Sequence, residues 1–170
     1  RRTWRAMDFR HGFCLDRWQA RPALGESASR RQRISAMLEF ANGYRGAEYV
    51  WGGAGRPRFG VDCSGLVLQA LYRAGLDPQP ITIDRHVRPH YRTSYNLYRH
   101  PRLRHVNVSR MRRGDLIFYR KASTGRINHV ALYLGNGRMV QAKGETVHAT
   151  RVRQRYPGQP IARTVVRPFR

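Results

Sequence analysis

The fold is decided by a stretch at residues 62–75, which reads DCSGLVLQALYRAG. Its apolar residues recur at helical spacing, and Gly75 followed by Pro78 closes the segment. Asp62 is a residue type that commonly caps a helix N-terminus, so Cys63 is predicted to lie at the start of the helix. A thiol in that position lies near unpaired backbone N–H groups and the positive end of the helix dipole. We therefore expect the pKa of Cys63 to be lowered.

A second helix is predicted upstream of this stretch. Ser29 and Gln32 form a capping-box pattern, and Asn42-Gly43 is a typical helix end. The apolar residues that recur at helical spacing between them are Ile34, Met37, Leu38 and Ala41. Between the two helices, a short strand-like segment at residues 49–51 leads into a loop rich in glycine and proline.

Downstream of residue 111 the pattern changes to strands. Strands are predicted at residues 115–119, 129–134 and 138–142, with further edge strands at 147–152 and 162–166. The intervening stretch, residues 81–111, is rich in Arg, His and Tyr, and is predicted to be irregular with one short helix. Helices followed by a meander of antiparallel strands indicate an α+β fold.

A thiol nucleophile needs an imidazole base within hydrogen-bond reach, and His129, at the start of a predicted strand, is the candidate. A third group should orient the imidazole, and the loop Gly135-Asn136-Gly137 decides whether Gln141 can be that group. Alternation along the strand puts His129, Ala131 and Tyr133 on one face. If all three residues form the loop, Leu134 pairs with Arg138 and Gln141 shares the face of His129, with Gly137 in a left-handed bulge position. A two-residue loop at Asn136-Gly137 would turn Gln141 to the opposite face, so the hypothesis of a Cys-His-Gln triad requires the longer loop.

Composition indicates one globular domain with an unusual charge. The 170 residues include 33 basic and 10 acidic side chains, for a net charge of +23. Such a surface attracts polyanions, which include nucleic acid, anionic lipid and acidic cell-wall polymers. The sequence contains no recognised RNA- or DNA-binding motif, which favours wall polymers over nucleic acid. No apolar run approaches the roughly 18 residues of a membrane-spanning helix.

The cysteines and histidines outside these segments do not predict a metal site. Cys14 and Cys63 are too few for a disulfide framework, and we expect no bridge between them. His86 and His90 are four residues apart, but Pro89 argues against an intact helix there.

Because the chain begins with Arg1, we expect a fragment or processed form, and the absence of a signal peptide does not indicate a compartment.

Four blocks in this order resemble the NlpC/P60 family of cysteine peptidases, which have a compact papain-like fold. The blocks are YVWGG (49–53), DCSGLV (62–67), RGDLIFY (113–119) and NHVALYLGNG (128–137), and RTS (92–94) resembles a further short segment of the family. The resemblance covers residue 29 to the C-terminus. We therefore expect a catalytic domain at residues 28–170, preceded by an extension at residues 1–27 that packs on or near it. If the extension gates the site, its deletion should raise the hydrolysis rate.

The resemblance also implies roles for individual residues. Cys63 matches the nucleophile and His129 the general base, and Gln141 occupies the place where the family most often has a second histidine. Tyr49 matches the tyrosine that lines the site. Asp62 and Ser64 match positions that help to bind the amino end of a short stem peptide.

The implied function is that of a peptidoglycan hydrolase, a cysteine endopeptidase that cleaves stem peptides of the bacterial cell wall. The expected bond joins D-γ-glutamate to diaminopimelate, and neither a metal nor an organic cofactor is needed. The expected partners are stem peptides and anionic wall polymers, with no specific nucleic acid, and the chain is expected to be a monomer, secreted or located in the cell envelope.

Other interpretations stay open. The alternatives are a weak or silent wall-binding module of the same fold, an amidase or acyltransferase acting on another amide, and a nucleic-acid-binding protein. At the residue level, Asp62 is also explained as a helix cap, Tyr49 as core packing, and Gln141 as a hydrogen-bond partner of a neighbouring strand.

Overall fold

Helices precede most of the strands along the chain. The computed structural model describes residues 18–78 and 92–170. The helices of these residues are α1 (Arg30–Asn42), α2 (Cys63–Arg73) and α3 (Ser94–Tyr98), with 3-10 turns at Pro57–Phe59 and Val108–Arg110. The strands are β1 (Arg104–Asn107), β2 (Leu116–Arg120), β3 (Ile127–Gly135), β4 (Arg138–Lys143), β5 (Thr146–Arg151), β6 (Arg155–Tyr156), β7 (Gln159–Pro160) and β8 (Thr164–Arg167).

The predicted capping box of α1 is confirmed. The Ser29 hydroxyl accepts a hydrogen bond from the backbone N–H of Gln32, and the Gln32 side chain accepts one from the N–H of Ser29. The helix ends at Asn42, and its predicted apolar face is buried. That face packs against α2, which is buried along almost its whole length.

The described end of the predicted extension packs on these helices. The side chain of Gln69 in α2 accepts from the N–H of Ala20 at 2.8 Å and donates to the carbonyl of Trp18 at 2.9 Å. The Trp18 ring stacks on Phe40 of α1 with 6.2 Å between ring centroids. Residues 1–17, which include Cys14, lie outside the described residues, so the domain division at residues 27 and 28 stays a prediction.

Six strands form one antiparallel sheet in the order β1-β8-β2-β3-β4-β5, and β6 and β7 form a separate small hairpin. Helix α2 packs on β3 and β4, and α3 packs on β3. The helix-facing side of the sheet contributes one apolar cluster, and the opposite side contributes a second, smaller one around Ile117, Tyr119, Ala131 and Met139. The predicted α+β fold is confirmed.

The β3–β4 hairpin combines the two loops that the sequence left as alternatives. Gly135 pairs with Arg138, so the loop is the two-residue Asn136-Gly137, with φ of 52° and 73°. A β-bulge between Tyr133 and Gly135 adds one residue to β3 and restores the register, so that Tyr133 pairs with Met139. The predicted three-residue loop, with Leu134 opposite Arg138, was therefore wrong, because a turn with two left-handed residues matches the twist of the strands. Because the register beyond the bulge is the predicted one, Gln141 lies on the same face of the sheet as His129, as expected.

Three other elements differ from the sequence prediction. Residues 49–51 do not form the predicted strand: Tyr49 makes one isolated bridge, to Val61, and Trp51 lies in a turn. Strand β8 lies inside the sheet between β1 and β2, not at an edge, whereas β5 is an edge strand as predicted. The stretch predicted to be irregular contains the expected short helix, α3, and also strand β1, while its residues 81–91 lie outside the described residues.

No helix among residues 18–78 and 92–170 has both the length and the apolar character needed to cross a membrane.

Candidate active site

A cleft of about 430 Å³ opens where the N-terminus of α2 meets the start of β3. Cys63 lines this cleft together with residues of the loop before α2, of α3 and of β3. The lining residues are Tyr49, Trp51, Asp62, Cys63, Ser64, Thr93, Ser94, Tyr95, Arg126, Ile127 and Asn128. The cleft therefore brings together all three of the residues predicted to contact substrate, Tyr49, Asp62 and Ser64, with the predicted nucleophile.

Cys63 is the first residue of α2, as predicted, and is a free thiol with 8% of its surface exposed. The backbone N–H of Val130 in β3 contacts the sulfur. That N–H is available because the paired part of the β3–β4 ladder ends at Leu132 and Val140, before it reaches Val130. The thiol therefore lies at the gap where the two strands separate, beside the residue that follows His129.

The expected lowering of the thiol pKa was wrong. Burial raises the pKa of Cys63 to about 12, and the nearby carboxylate of Asp62 raises it further. The N–H groups of Val130 and Ser64 and the charge of Arg92 act in the opposite direction but do not prevail. Desolvation of a buried thiolate outweighs the helix N-terminus here, because the same packing that brings the helix end to the strand removes water from the sulfur.

His129 and Gln141 are both buried and are joined by a hydrogen bond of 2.7 Å between the imidazole Nε2 and the amide Oε1. An amide oxygen only accepts, so Nε2 of the imidazole carries the hydrogen and donates it. In neutral His129 the unprotonated nitrogen is then Nδ1, whose lone pair is free to accept a proton. The bond joins β3 to β4 across the gap in their ladder.

The pKa of His129 is lowered to about 4, mainly by burial. The hydrogen bond to Gln141 raises the pKa, whereas the positive charge of Lys143, and that of His148 when its imidazole is protonated, lower it. At neutral pH the imidazole is therefore uncharged, and the thiol of Cys63 is protonated.

Asp62 is engaged on both of its carboxylate oxygens. Oδ1 accepts from the N–H of Gly65 at 2.7 Å, which caps α2, and Oδ2 accepts from the N–H of Gly52 at 3.0 Å. The guanidinium of Arg92 donates to Oδ1 at 2.7 Å and to Oδ2 at 3.1 Å, and also to the Ser64 hydroxyl at 3.0 Å. The interpretation of Asp62 as a helix cap is confirmed, and this network fixes the loop that frames the cleft.

Tyr49 is partly buried in the cleft wall. Burial raises the pKa of its phenol well above the usual range, and the neighbouring Cys63 and Asp62 act in the same direction. The hydroxyl thus stays protonated at any physiological pH and can donate or accept a hydrogen bond.

The sequence analysis missed several residues of the site. Arg92 was noted only as part of a short segment, and nothing local revealed that it is completely buried against Asp62. His148 and Tyr156 contact the amide of Gln141 but come from β5 and β6, whose position follows from the fold alone. The cleft rim carries Arg126 over the ring of Tyr95, with 4.1 Å from guanidinium carbon to ring centroid.

Metal-ligating clusters are not found in the part of the chain that the structure describes. His86 and His90 lie outside it.

Comparison with known proteins is consistent with this geometry. The model of the NlpC/P60 family matches residues 46–166. The peptidoglycan endopeptidase RipB of Mycobacterium tuberculosis is 34% identical over 72% of this chain and 48% of its own length. The murein DD-endopeptidase MepH of Escherichia coli is 34% identical over 65% of this chain and 37% of its own length.

A solved structure gives the same result for the fold. The P60 domain of antigen MAP1204 from M. avium subspecies paratuberculosis superimposes with a TM-score of 0.62 at 30% identity, and the match covers 83% of this chain and 98% of that domain. The chain spans less than half the length of RipB and of MepH. The family model covers well over half of the chain, and the blocks that it matches contain the cleft, its buried thiol and the imidazole bonded to an amide. This chain therefore belongs to the NlpC/P60 family.

Proposed function

We propose that this chain is a cysteine endopeptidase that cleaves stem peptides of bacterial peptidoglycan. The observation that carries the proposal is the position of the Cys63 thiol, in a cleft and against the N–H of Val130, the residue that follows a neutral His129 with its proton on Nε2. A nucleophile, a base and a group that orients the base are what acyl transfer to a thiol requires. All three come from one chain, so a monomer is sufficient.

The reaction follows from the protonation states of the pair. Nδ1 of His129 takes the proton of the Cys63 thiol as the sulfur attacks the carbonyl carbon of the scissile amide. The negative charge that develops on the carbonyl oxygen is stabilised by backbone N–H groups at the start of α2, including that of Cys63. The imidazolium then protonates the leaving amine, the C–N bond breaks, and an acyl-enzyme remains. Water, deprotonated by His129, hydrolyses the thioester and regenerates the thiol.

Tyr49 and Ser64 are proposed to contact the substrate directly. Both line the cleft beside Cys63, and both carry hydroxyl groups that can bond the amino end of a stem peptide. Asp62 also lines the cleft, and we propose that it contributes its negative charge to the binding of that amine. Because Arg92 offsets this charge, the contribution of Asp62 is expected to be the smallest of the three.

The finer assignment is the bond between D-γ-glutamate and diaminopimelate. Support for cleavage of peptidoglycan comes from the names of RipB and MepH, of which only MepH specifies a bond, as a DD-endopeptidase. A substrate in the wall places the protein outside the cytoplasmic membrane, and anionic wall polymers are proposed as a second partner because of the net charge of +23.

Incubation with purified muropeptides followed by mass spectrometry tests the function and the bond together. The parent protein should produce new fragments whose masses identify the cleaved bond, and Cys63→Ala should produce none. Fragments that report cleavage of a different amide would replace the endopeptidase with an amidase or acyltransferase. If intact parent protein produces no fragments, the proposal fails, and retention on sacculi would then support a wall-binding module.

A further inference from the structure

The amide of Gln141 contacts two further side chains on the side away from His129. Its Nε2 donates to the hydroxyl of Tyr156 at 2.8 Å and lies 3.2 Å from Nε2 of His148. His148 is directly opposite Gln141 in the β4–β5 ladder. Both hydrogens of the amide nitrogen therefore have a partner, while the amide oxygen faces His129 at 2.7 Å.

The bonds of His148 decide which of its nitrogens is an acceptor. Nδ1 lies 3.1 Å from the carbonyl oxygen of Thr146, and a carbonyl oxygen accepts only from a nitrogen that carries hydrogen. In neutral His148 the proton is thus on Nδ1, and Nε2 has a free lone pair directed at Gln141. The lone pair accepts one hydrogen of the amide.

Because Nε2 of His148 accepts and cannot donate, it favours one of the two orientations of the Gln141 amide over the other. With the amide reversed, its oxygen would face the lone pair of His148 Nε2, and its NH₂ group would face Nε2 of His129. His129 would then have to place its own proton on Nδ1, the nitrogen that must be free to receive the proton of Cys63. The reversed amide therefore produces the inactive tautomer of the base.

Tyr156 cannot make the same distinction, because a hydroxyl both donates and accepts and is satisfied by either end of the amide. Its ring is held in place by the cations of Lys143 and Arg153, at 4.5 and 4.7 Å from the ring centroid, and by an edge contact with Tyr119. Tyr156 thus anchors Gln141 in space without choosing its orientation.

We propose that His148 is a positioning residue, which fixes the orientation of the Gln141 amide and thereby the Nε2–H tautomer of His129. The consequence for catalysis rests on the proposed function, whereas the tautomer itself can be observed without substrate. Gln141 thus orients His129, and His148 in turn orients Gln141.

Imidazole ¹⁵N spectra of labelled protein test this directly. At about pH 8, above the ordinary imidazole pKa of about 6.5, wild-type His129 should show a protonated Nε2 and an unprotonated Nδ1, with signals assigned by their loss in His129→Gln. His148→Leu removes the acceptor and should add the Nδ1–H form. His148→Met keeps an uncharged group that accepts but cannot donate, and Tyr156→Phe is the matched control that loses a hydrogen bond without losing the distinction. Both should retain the wild-type pattern.

The proposal is overturned if His129 in folded His148→Leu keeps the Nε2–H form alone, or if Tyr156→Phe changes the tautomer equally. The wild-type spectrum is an independent check that needs no variant, because His148 must be protonated on Nδ1, and a proton on Nε2 would contradict the mechanism. With muropeptide, His148→Leu should lower kcat by about tenfold or more with KM nearly unchanged, since an imidazole in the wrong tautomer impairs proton transfer and not binding. A tautomer change in a protein that cleaves no muropeptide would leave this inference standing and remove only the proposed function.

Discussion

Burial determines the charge of the two side chains proposed to perform the chemistry. It raises the pKa of Cys63 to about 12 and lowers that of His129 to about 4, so both groups are neutral across the range between these values. An ion pair in the free protein would place a thiolate and an imidazolium in a site with little water. The neutral pair avoids this cost until a substrate carbonyl is ready to receive the sulfur.

The pH profile of kcat/KM should reflect this lowered pKa. His129 acts as a base only when unprotonated, so in His148→Met, which removes the other imidazole beside Gln141, activity should persist as the pH falls below the ordinary imidazole value of 6.5 and should decline near pH 4. The measurement is kcat/KM on a soluble muropeptide over that range, with circular dichroism at each pH to show that the protein is folded. An acid limb near 6.5 in this folded variant would show that His129 is solvated, contrary to the structure.

At the residue scale, the sequence located the site but not its electrostatics. The place of Cys63 at a helix start follows from Asp62 and the apolar run after it, which are local features. Its pKa is raised mainly by burial, which depends on how segments distant in sequence pack around the thiol. The same holds for Gln141, whose strand face could be predicted, whereas its contacts with His148 and Tyr156 depend on how β5 and β6 return to β4.

At the element scale, the entry into α2 depends on close contact between two backbone segments. A Cβ atom on Gly65 would lie 2.1 Å from the carbonyl oxygen of Gly53 and 2.9 Å from the Cα of Ala54. Both contacts are with backbone, which cannot rotate away as a side chain can. The glycine after Cys63-Ser64 therefore allows the loop of residues 52–55 to pack against the first turn of the helix.

Gly65→Ala should lower the free energy of unfolding by roughly 3 kcal/mol, because overpacking against backbone forces the loop or the helix to move. Urea denaturation followed by circular dichroism measures the change. Gly25→Ala is the matched control, since a Cβ at that exposed position meets no atom within 4 Å, and it should change stability by less than about 0.5 kcal/mol. Equal effects of the two substitutions would contradict the close approach at α2.

Two buried ion pairs connect elements that are distant in sequence. Arg92 before α3 pairs with Asp62 before α2, and Arg167 in β8 pairs with Asp115 before β2, each through two hydrogen bonds. The first lies in the cleft and the second away from it. Breaking each pair in turn therefore shows whether a loss of activity comes from lost stability or from a change at the Cys63 thiol.

Arg92→Met and Arg167→Met should each cost about 3–5 kcal/mol of stability, because each leaves a buried carboxylate without its partner. Only Arg92→Met should also lower kcat/KM, by about tenfold or more, since Arg92 lowers the pKa of Cys63 and its loss exposes the thiol to the charge of Asp62. Kinetics are compared at a temperature where both variants are folded. If Arg167→Met loses as much activity as Arg92→Met, the pair at the cleft has no specific role in activation.

The elements themselves were predictable to different degrees. Helix α1 and strands β2 to β4 follow from periodicity over many residues, and their apolar faces are buried as expected. Strand β1 was missed because it has four residues with a single buried side chain, Val106, which leaves almost no periodic signal. The position of β8 between β1 and β2 is a property of topology, and local sequence does not encode which strands become neighbours.

At the scale of the whole molecule, net charge is expected to affect the proposed binding to the wall much more than the proposed catalysis. Each of the two buried pairs contains one acid and one base, so the full excess of +23 belongs to the remaining residues. An excess of this size attracts anionic polymers over distances set by the Debye length. The two groups proposed to perform the chemistry contribute little to that attraction, because Cys63 and His129 are neutral.

Binding to sacculi should therefore weaken strongly with salt, while hydrolysis of a small soluble muropeptide should not. Between about 0.01 M and about 0.15 M salt the Debye length falls from about 30 Å to about 8 Å, and we expect the Kd for sacculi to rise by about tenfold or more. Over the same range kcat/KM for the soluble fragment should change by less than about threefold, because contacts in the cleft are short and shielded from ions. Co-sedimentation with intact sacculi, and with sacculi stripped of anionic polymers, measures the first quantity. Binding that resists salt, or that survives removal of the polymers, would place recognition of the wall in the cleft or another specific surface and not in the net charge.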